Sequence, residues 1–341
     1  MKIFFSEKHK VHDPGFEVFD GGVRVPYLES PQRAERIRSA LERQPWAEIL
    51  PPAEANLEAI LAVHRKEYVE FLRTAFNEWQ LEETDYVKEA LLPATFSPRD
   101  AAHRPRSLLG KAGYHITDLS VPILAGTYQA ALASTACALS GAQALAAGDA
   151  AAFALCRPPG HHAGRETCAG YCYFNNAAIA AHWLSEKGGV AILDIDFHAG
   201  NGTQEIFYDR ADVLTVSIHA DPETEYPYFH GYAEEIGAGA GIGRHRNFPL
   251  PAGTDDARYL TALTEAIQVV RSFQPEFLVV SAGMDIYAED PLGTFKVTTG
   301  GIRDIGARIR DIDRPTLIVM EGGYDLPSLG ANVVALLGNF A

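Results

Sequence analysis

Cysteine is scarce. Cys137, Cys156, Cys168 and Cys172 are the only four in 341 residues, too few for a disulfide framework. Cys168 and Cys172 closely follow two histidines, but no second ligand pair at a regular spacing accompanies them, so no structural zinc site is expected there. Basic charge is short as well: 29 Lys and Arg face 44 Asp and Glu, a net charge of −15. Without a basic surplus to displace counterions, nucleic acid is not an expected partner. The acidity suits either attraction of a cationic substrate or simple solubility. No apolar run reaches about 18 residues, so no transmembrane helix is expected. The opening Met1–Glu7 has too short an apolar core for a secretory signal, and a cytoplasmic address is expected. Internal repeats, low-complexity linkers, a P-loop and a G-x-S-x-G elbow are all missing. The glycine run Gly237–Gly243 lacks G-x-G-x-x-G spacing and reads as loop.

What remains is an ordinary globular composition with 47% hydrophobic residues, which excludes disorder. A chain of this length buries roughly three quarters of its unfolded surface. Short apolar runs read as buried parallel strands: Ile3–Phe5, Ala152–Cys156, Val190–Ile195, Val213–Ile218, Phe277–Ser281 and Thr316–Met320. Helical stretches separate several of them. One runs from Tyr128 to about Ala147 and stops at Gly148. Another starts at the Asn175-Asn176 pair and ends at Gly188-Gly189, and a third runs from about Asp255 to Ser272. This alternation predicts an α/β fold, one parallel sheet with helices on both faces. Leu81–Leu124 and Pro222–Gly243 are irregular; the first, long and proline-punctuated, is expected to be functional or an interface.

The unusual polar residues all follow apolar runs. They are Arg157-Pro158-Pro159-Gly160-His161-His162, then Asp194-Ile195-Asp196-Phe197-His198, His219, Gly283-Met284-Asp285, and Glu321-Gly322-Gly323-Tyr324. Ligands of open α/β sheets bind beyond the carboxyl ends of the strands, so these residues should converge. Asp194, Asp196 and His198 alternate along extended chain and share a face. Charges buried that way need a cation among them, and Asp285 supplies a further carboxylate. Three protein ligands leave a position open, as in catalytic zinc sites. Zn²⁺ is the first expectation, with Fe²⁺, Co²⁺ or Mn²⁺ also admitted by such ligands. His161 and His162 suit general acid/base work, with Asp194 and Asn201 as candidate orienting partners. Tyr324, after two glycines, suits an oxyanion donor.

Together these motifs, with Gly170-Tyr171-Cys172-Tyr173-Phe174-Asn175-Asn176, resemble the zinc-dependent histone deacetylase superfamily. The resemblance is specific from about residue 125 to 330 and weaker toward the N-terminus. It implies a single-domain arginase–deacetylase fold with about eight parallel strands. Within the superfamily the chain looks most like bacterial acetylpolyamine amidohydrolases, from its length, the Phe4–His9 opening, the Leu81–Leu124 insertion and Gly231–Glu235. By resemblance Asp196, His198 and Asp285 bind Zn²⁺, and His162 is general base and then acid. His161 pairs with Asp194 and acts electrostatically, Asn201 orients His162, and Tyr324 polarises the acetyl carbonyl. Tyr171 and Tyr226 match two aromatic tunnel walls, with Gly170 and Phe19 beside them.

The family also implies structural K⁺. One site would use Asp194, Asp196, His198, Ser217 and Ile218. A second would use carbonyls at Phe207, Arg210 and Val213. The insertion is expected to shape the entrance and support a homodimer. Acetylpolyamine enzymes carry carboxylates on this insertion, where rough register finds Leu109 and Ser120. Glu17, Asp20 and Asp118 are then the candidates for a distal ammonium. Ala199 replaces a second histidine that many relatives carry, at a position that is not a ligand.

The expected activity is zinc-dependent hydrolysis of acetylated diamines or polyamines. Hydrolysis of acetyl-lysine in peptides or proteins is the alternative. A binuclear arginase-like site would need further acidic ligands, which Ala199, Asn201 and Tyr324 do not supply. A non-catalytic acetyl-ligand binder would have no need of the full set of catalytic groups.

Overall fold

The computed structural model describes residues 1–19, 22–82, 88–98 and 103–341. Every expected apolar run forms a strand: β1 (Lys2–Phe4), β5 (Ala151–Ala154), β6 (Val190–Asp194), β7 (Val213–Ala220), β9 (Phe277–Ala282) and β10 (Thr316–Met320). Two strands without an apolar run complete the sheet, β4 (Glu48–Leu50) and β8 (His245–Leu250). Both are edge strands, half open to solvent, and Pro249 in β8 is tolerated there. The eight strands are parallel in the order β4-β1-β5-β10-β9-β6-β7-β8. A separate antiparallel ribbon pairs β2 (Glu17–Phe19) with β3 (Val23–Val25).

Alternate residues of each strand feed two cores, one on each face. Ala152, Ala154 and Ile192 join the first, against α3 (Lys66–Leu81), α5 (Thr127–Ala146) and α6 (Asn176–Ser185). Phe153, Leu155, Ala191 and Leu193 join the second, against α1 (Pro31–Leu41), α8 (Asp256–Phe273), α9 (Thr299–Arg310) and α10 (Leu326–Leu337). Short helices α2 (Leu57–Leu61) and α7 (Asn201–Phe207) complete the layers.

Local chemistry sets the helix ends. The Asn175 side chain caps α6 by accepting from Ala178 N, and Asp255 caps α8 by accepting from Arg258 N. Gly148, at φ +106°, closes α5 in the left-handed region where only glycine is unstrained. The Leu81–Leu124 insertion is less irregular than its prolines imply. It contains α4 (Leu108–His115), capped by the Ser107 hydroxyl, and an isolated bridge ties Leu91 to Ile123.

Five neighbouring strands, β5, β10, β9, β6 and β7, end on the same edge. The polar motifs follow those five ends, so their convergence is a property of strand order rather than of any loop.

Candidate active site

Asp196, His198 and Asp285 meet at the ends of β6 and β9. Their ligand atoms all lie within 4.8 Å of one another, and among the described residues no other group of His, Cys, Asp and Glu is placed to hold a metal. His198 Nδ1 is 3.2 Å from both Asp196 Oδ1 and Asp285 Oδ2. Backbone amides aim the carboxylates: Asp196 Oδ2 accepts from Gly322 N at 2.9 Å, and Asp285 Oδ1 from Phe197 N at 3.0 Å. A side chain at Gly322 would put its Cβ 2.3 Å from Asp285 Oδ2, which explains the glycine.

The donor set fits a divalent cation. Burial, and then the charge of Asp196, raises the Asp285 carboxyl well above its ordinary range. Burial alone would raise Asp196 too, but His161 and His198 together hold it down. Two buried carboxylates converging on one imidazole nitrogen are a poor arrangement without a cation and a good one with it.

The two histidines after β5 have different partners. His161 Nδ1 lies 3.0 Å from Asp194 Oδ2, whereas His162 Nδ1 lies 2.7 Å from Asn201 Oδ1. Their ring centroids lie 4.0 Å apart, with the planes tilted by 48°. Burial disfavours the His161 cation, yet Asp196 and Asp194 outweigh it and push its pKa up to about 10. Burial and the neighbouring His161 and His198 hold His162 well below the ordinary range. Glu321 orders the segment they stand on, its Oε2 accepting from Gly160 N at 2.7 Å and His161 N at 3.1 Å.

Tyr324 stands opposite, at the end of β10. Gly323, at φ +116°, turns the chain inward before it. The Arg33 guanidinium lies 4.7 Å from the Tyr324 ring and donates to Gly323 O and Glu321 O, each at 2.6 Å. Arg33 is itself paired with buried Glu29, which also meets Arg157. Asp290 accepts from Tyr324 N at 2.6 Å. Sequence reasoning missed Arg33, Glu29 and Asp290. The only signal for them is Arg157 and Glu321 within the motifs, buried charges that had to find partners.

A cavity of about 580 Å³ leads outward from His161, His162, His198 and Tyr324. Tyr171, Tyr226, Gly170 and Phe19 line it, and the insertion contributes Phe96 and Thr117–Ser120. The Tyr226 ring is 5.0 Å from that of His162, and the Tyr171 ring 5.6 Å from that of Tyr324. Tyr171 donates to Glu17 Oε2 and Tyr226 to Asp118 Oδ2, both at 2.7 Å.

The distal-ammonium candidates divide. Asp118 lines the cavity, whereas Glu17 is buried behind Tyr171 and is not part of its wall. Asp20 lies outside the described residues. Leu109 is exposed on α4, and Ser120 Oγ donates to Asp118. Glu225, which sequence reasoning passed over, also lines the cavity.

For the potassium candidates, Asp194 lies opposite Ser217 in the β6–β7 register, beside Ile218. The Ser217 hydroxyl is 2.7 Å from His219 Nδ1. Phe207 and Val213 flank the turn from α7 to β7, where Phe207 O accepts from Arg210 N.

This sheet, with an Asp–His–Asp cluster and a histidine pair at one edge, defines a metal-dependent hydrolase of the deacetylase class, and the chain belongs to the histone deacetylase domain family, matched over residues 27–339. It is 43% identical to an acetylpolyamine amidohydrolase of Mycoplana ramosa over 100% of both chains. It is 42% identical to acetylpolyamine amidohydrolase 2 of Pseudomonas aeruginosa over 100% of this chain and 98% of the relative. A crystal structure of acetylpolyamine aminohydrolase from Burkholderia pseudomallei superposes with a TM-score of 0.95 at 39% identity, covering 100% of this chain and 98% of that one. The expected eight-stranded arginase–deacetylase fold is therefore the fold observed. Among the described residues no helix is long and apolar enough to cross a membrane.

Proposed function

We propose that the protein hydrolyses the acetamide of small acetylated diamines or polyamines, releasing acetate and free amine. One observation carries this reading. An aromatic-walled cavity, lined partly by the insertion, leads to the Asp–His–Asp cluster and a histidine pair with unlike partners. The relatives' names supply the substrate class. An entrance walled by an insertion favours a thin methylene chain over a folded protein.

Asp196, His198 and Asp285 would hold the metal, Zn²⁺ first and Fe²⁺, Co²⁺ or Mn²⁺ otherwise. When bound, a divalent cation there supplies Lewis-acid polarisation of an acyl oxygen and acidifies water. The chain's own residues do the rest. Asn201 offers a neutral carbonyl to His162 Nδ1–H, which leaves the His162 Nε2 lone pair free toward the cavity. His162 Nε2 takes the proton of the attacking water as its oxygen bonds to the acetyl carbon. The same proton passes to the amine nitrogen as the C–N bond breaks. His161, facing the carboxylate of Asp194, would act electrostatically on the negative charge gathering on the acyl group. Tyr324 donates its hydroxyl proton in a hydrogen bond to the carbonyl oxygen. Tyr171 and Tyr226, fixed through Glu17 and Asp118, clamp the methylene chain.

Further parts of this reading are structural. K⁺ would bind at Asp194, Asp196, His198, Ser217 and Ile218, and at the Phe207–Val213 turn. A homodimer would form through the insertion, whose exposed Leu81, Phe96 and Leu109 favour burial against a second copy. A cytoplasmic location is supported by four free, buried cysteines.

Acetate release tests the proposal. The metal-loaded protein is offered acetylputrescine, acetylcadaverine, acetylspermidine, acetylspermine, an acetyl-lysine peptide and an acetylated folded protein. The small amines should have the highest kcat/KM; preference for peptide or protein would replace the reading by lysine deacetylation. Salt provides a second check. With a net charge of −15 attracting a cation, KM for an acetylated diamine should rise as ionic strength shortens the Debye length to about 10 Å at 0.1 M. A salt-independent KM would assign the acidity to solubility alone.

A further inference from the structure

We infer that Glu225 is the anchor for the free ammonium of the substrate, an inference that rests on the acetylated-amine reading above. Among the described residues that line the cavity, only Asp118 and Glu225 carry carboxylates. Asp118 has no acceptor capacity left. Its Oδ1 accepts from Ser120 N at 2.9 Å and Ser120 Oγ at 2.6 Å. Its Oδ2 accepts from Gly170 N at 2.8 Å and Tyr226 Oη at 2.7 Å. Two bonds on each oxygen exhaust a carboxylate, so Asp118 is a positioning residue for the wall.

Glu225 differs on every count. Its Oε1 accepts one bond, from Thr294 Oγ1 at 3.1 Å. Among the described residues Oε2 has no partner, and no Lys, Arg or His forms an ion pair with Glu225. It is half-buried and so stands partly out of water. Its backbone is held at both ends, Glu225 N donating to Asp221 O and Tyr228 N donating to Glu225 O.

Position gives the carboxylate its meaning. Glu225 directly precedes Tyr226, whose ring lies 5.0 Å from His162 and 5.9 Å from His198. An acetamide at the histidines and an ammonium at Glu225 are thus separated by about one aromatic wall. That span suits a short α,ω-diamine carrying one acetyl group. The apolar Pro291 and Leu292 line the same cavity and offer the methylenes a dry surface. Specificity would then come from a fixed negative charge at the far end of the chain, not from contacts at the acetyl group.

The test uses the metal-loaded full chain and two substrates that share a five-carbon chain, N-acetylcadaverine and neutral N-pentylacetamide. Wild-type protein should prefer the cation. Glu225→Gln retains an acceptor for Thr294 and removes the charge. It should lower kcat/KM for acetylcadaverine roughly tenfold, mainly through KM, and leave pentylacetamide within about twofold, as expected for one charge-assisted contact. Glu225→Asp should restore part of the loss. Equal losses on both substrates would mean a disturbed wall and would overturn the assignment, as would no loss on either. A wild-type protein that turns over pentylacetamide but shows no preference for acetylcadaverine also overturns it. Failure of wild type on both small substrates, with turnover of an acetyl-lysine peptide, would instead reject the underlying reading.

Discussion

Asp285→Ala is expected to lose its metal and its turnover together. The substitution removes one of three ligands and leaves Asp196 and His198, too few to hold a divalent cation against water. Loss of a group that merely orients a ligand costs about 10–100-fold in affinity or activity, so loss of a ligand should exceed that range. Metal content after dialysis and acetate release on the same sample are the paired measurements. Fold should persist, because the buried Asp285 carboxylate sits against the like charge of Asp196 and is a liability without a cation. The metal-free variant should therefore melt no lower than metal-free wild type, while only wild type gains stability on metal addition. Asp285→Asn separates charge from packing, since its amide oxygen still accepts from Phe197 N. A fully active, metal-free Asp285→Ala protein would sink the ligand assignment.

The parts of this molecule legible in its sequence are those with short-range causes. Apolar runs marked the six central strands because a parallel strand covered on both faces must be apolar throughout. The motifs at their ends stood out because charge next to such a run is costly. β4 and β8 were not legible, since an edge strand needs neither burial nor an apolar run, and His245–Leu250 alternates irregularly. Helix α4 was hidden by prolines that turned out to flank it at Pro105 and Pro122. The partners of the site were hidden for a different reason. Arg33 reaches Gly323 across 290 residues and Glu17 reaches Tyr171 across 154, and no spacing encodes a contact that only tertiary packing creates. Glu17 is instructive. Its carboxylate made it a candidate for the substrate's ammonium, but burial turned it into a support for the aromatic wall.

Tyr324→Phe should keep the metal, keep the fold and lose roughly 10²–10³-fold in kcat, the scale of one oxyanion donor. Tyr171 and Tyr226 commit their hydroxyls to Glu17 and Asp118, whereas among the described residues the Tyr324 hydroxyl has no protein partner. Burial holds that phenol well above its ordinary range, which favours its role as a proton donor. The ring needs no hydroxyl to stay in place. Arg33 lies over it, Asp290 holds its backbone amide, and Tyr171 packs against it. Phenylalanine therefore removes a single hydrogen bond at the acyl oxygen. Such a bond strengthens as negative charge builds, so the loss should fall on kcat and leave KM nearly unchanged. A rise in KM at constant kcat would make Tyr324 a binding residue, and near-normal turnover would remove it from the chemistry altogether.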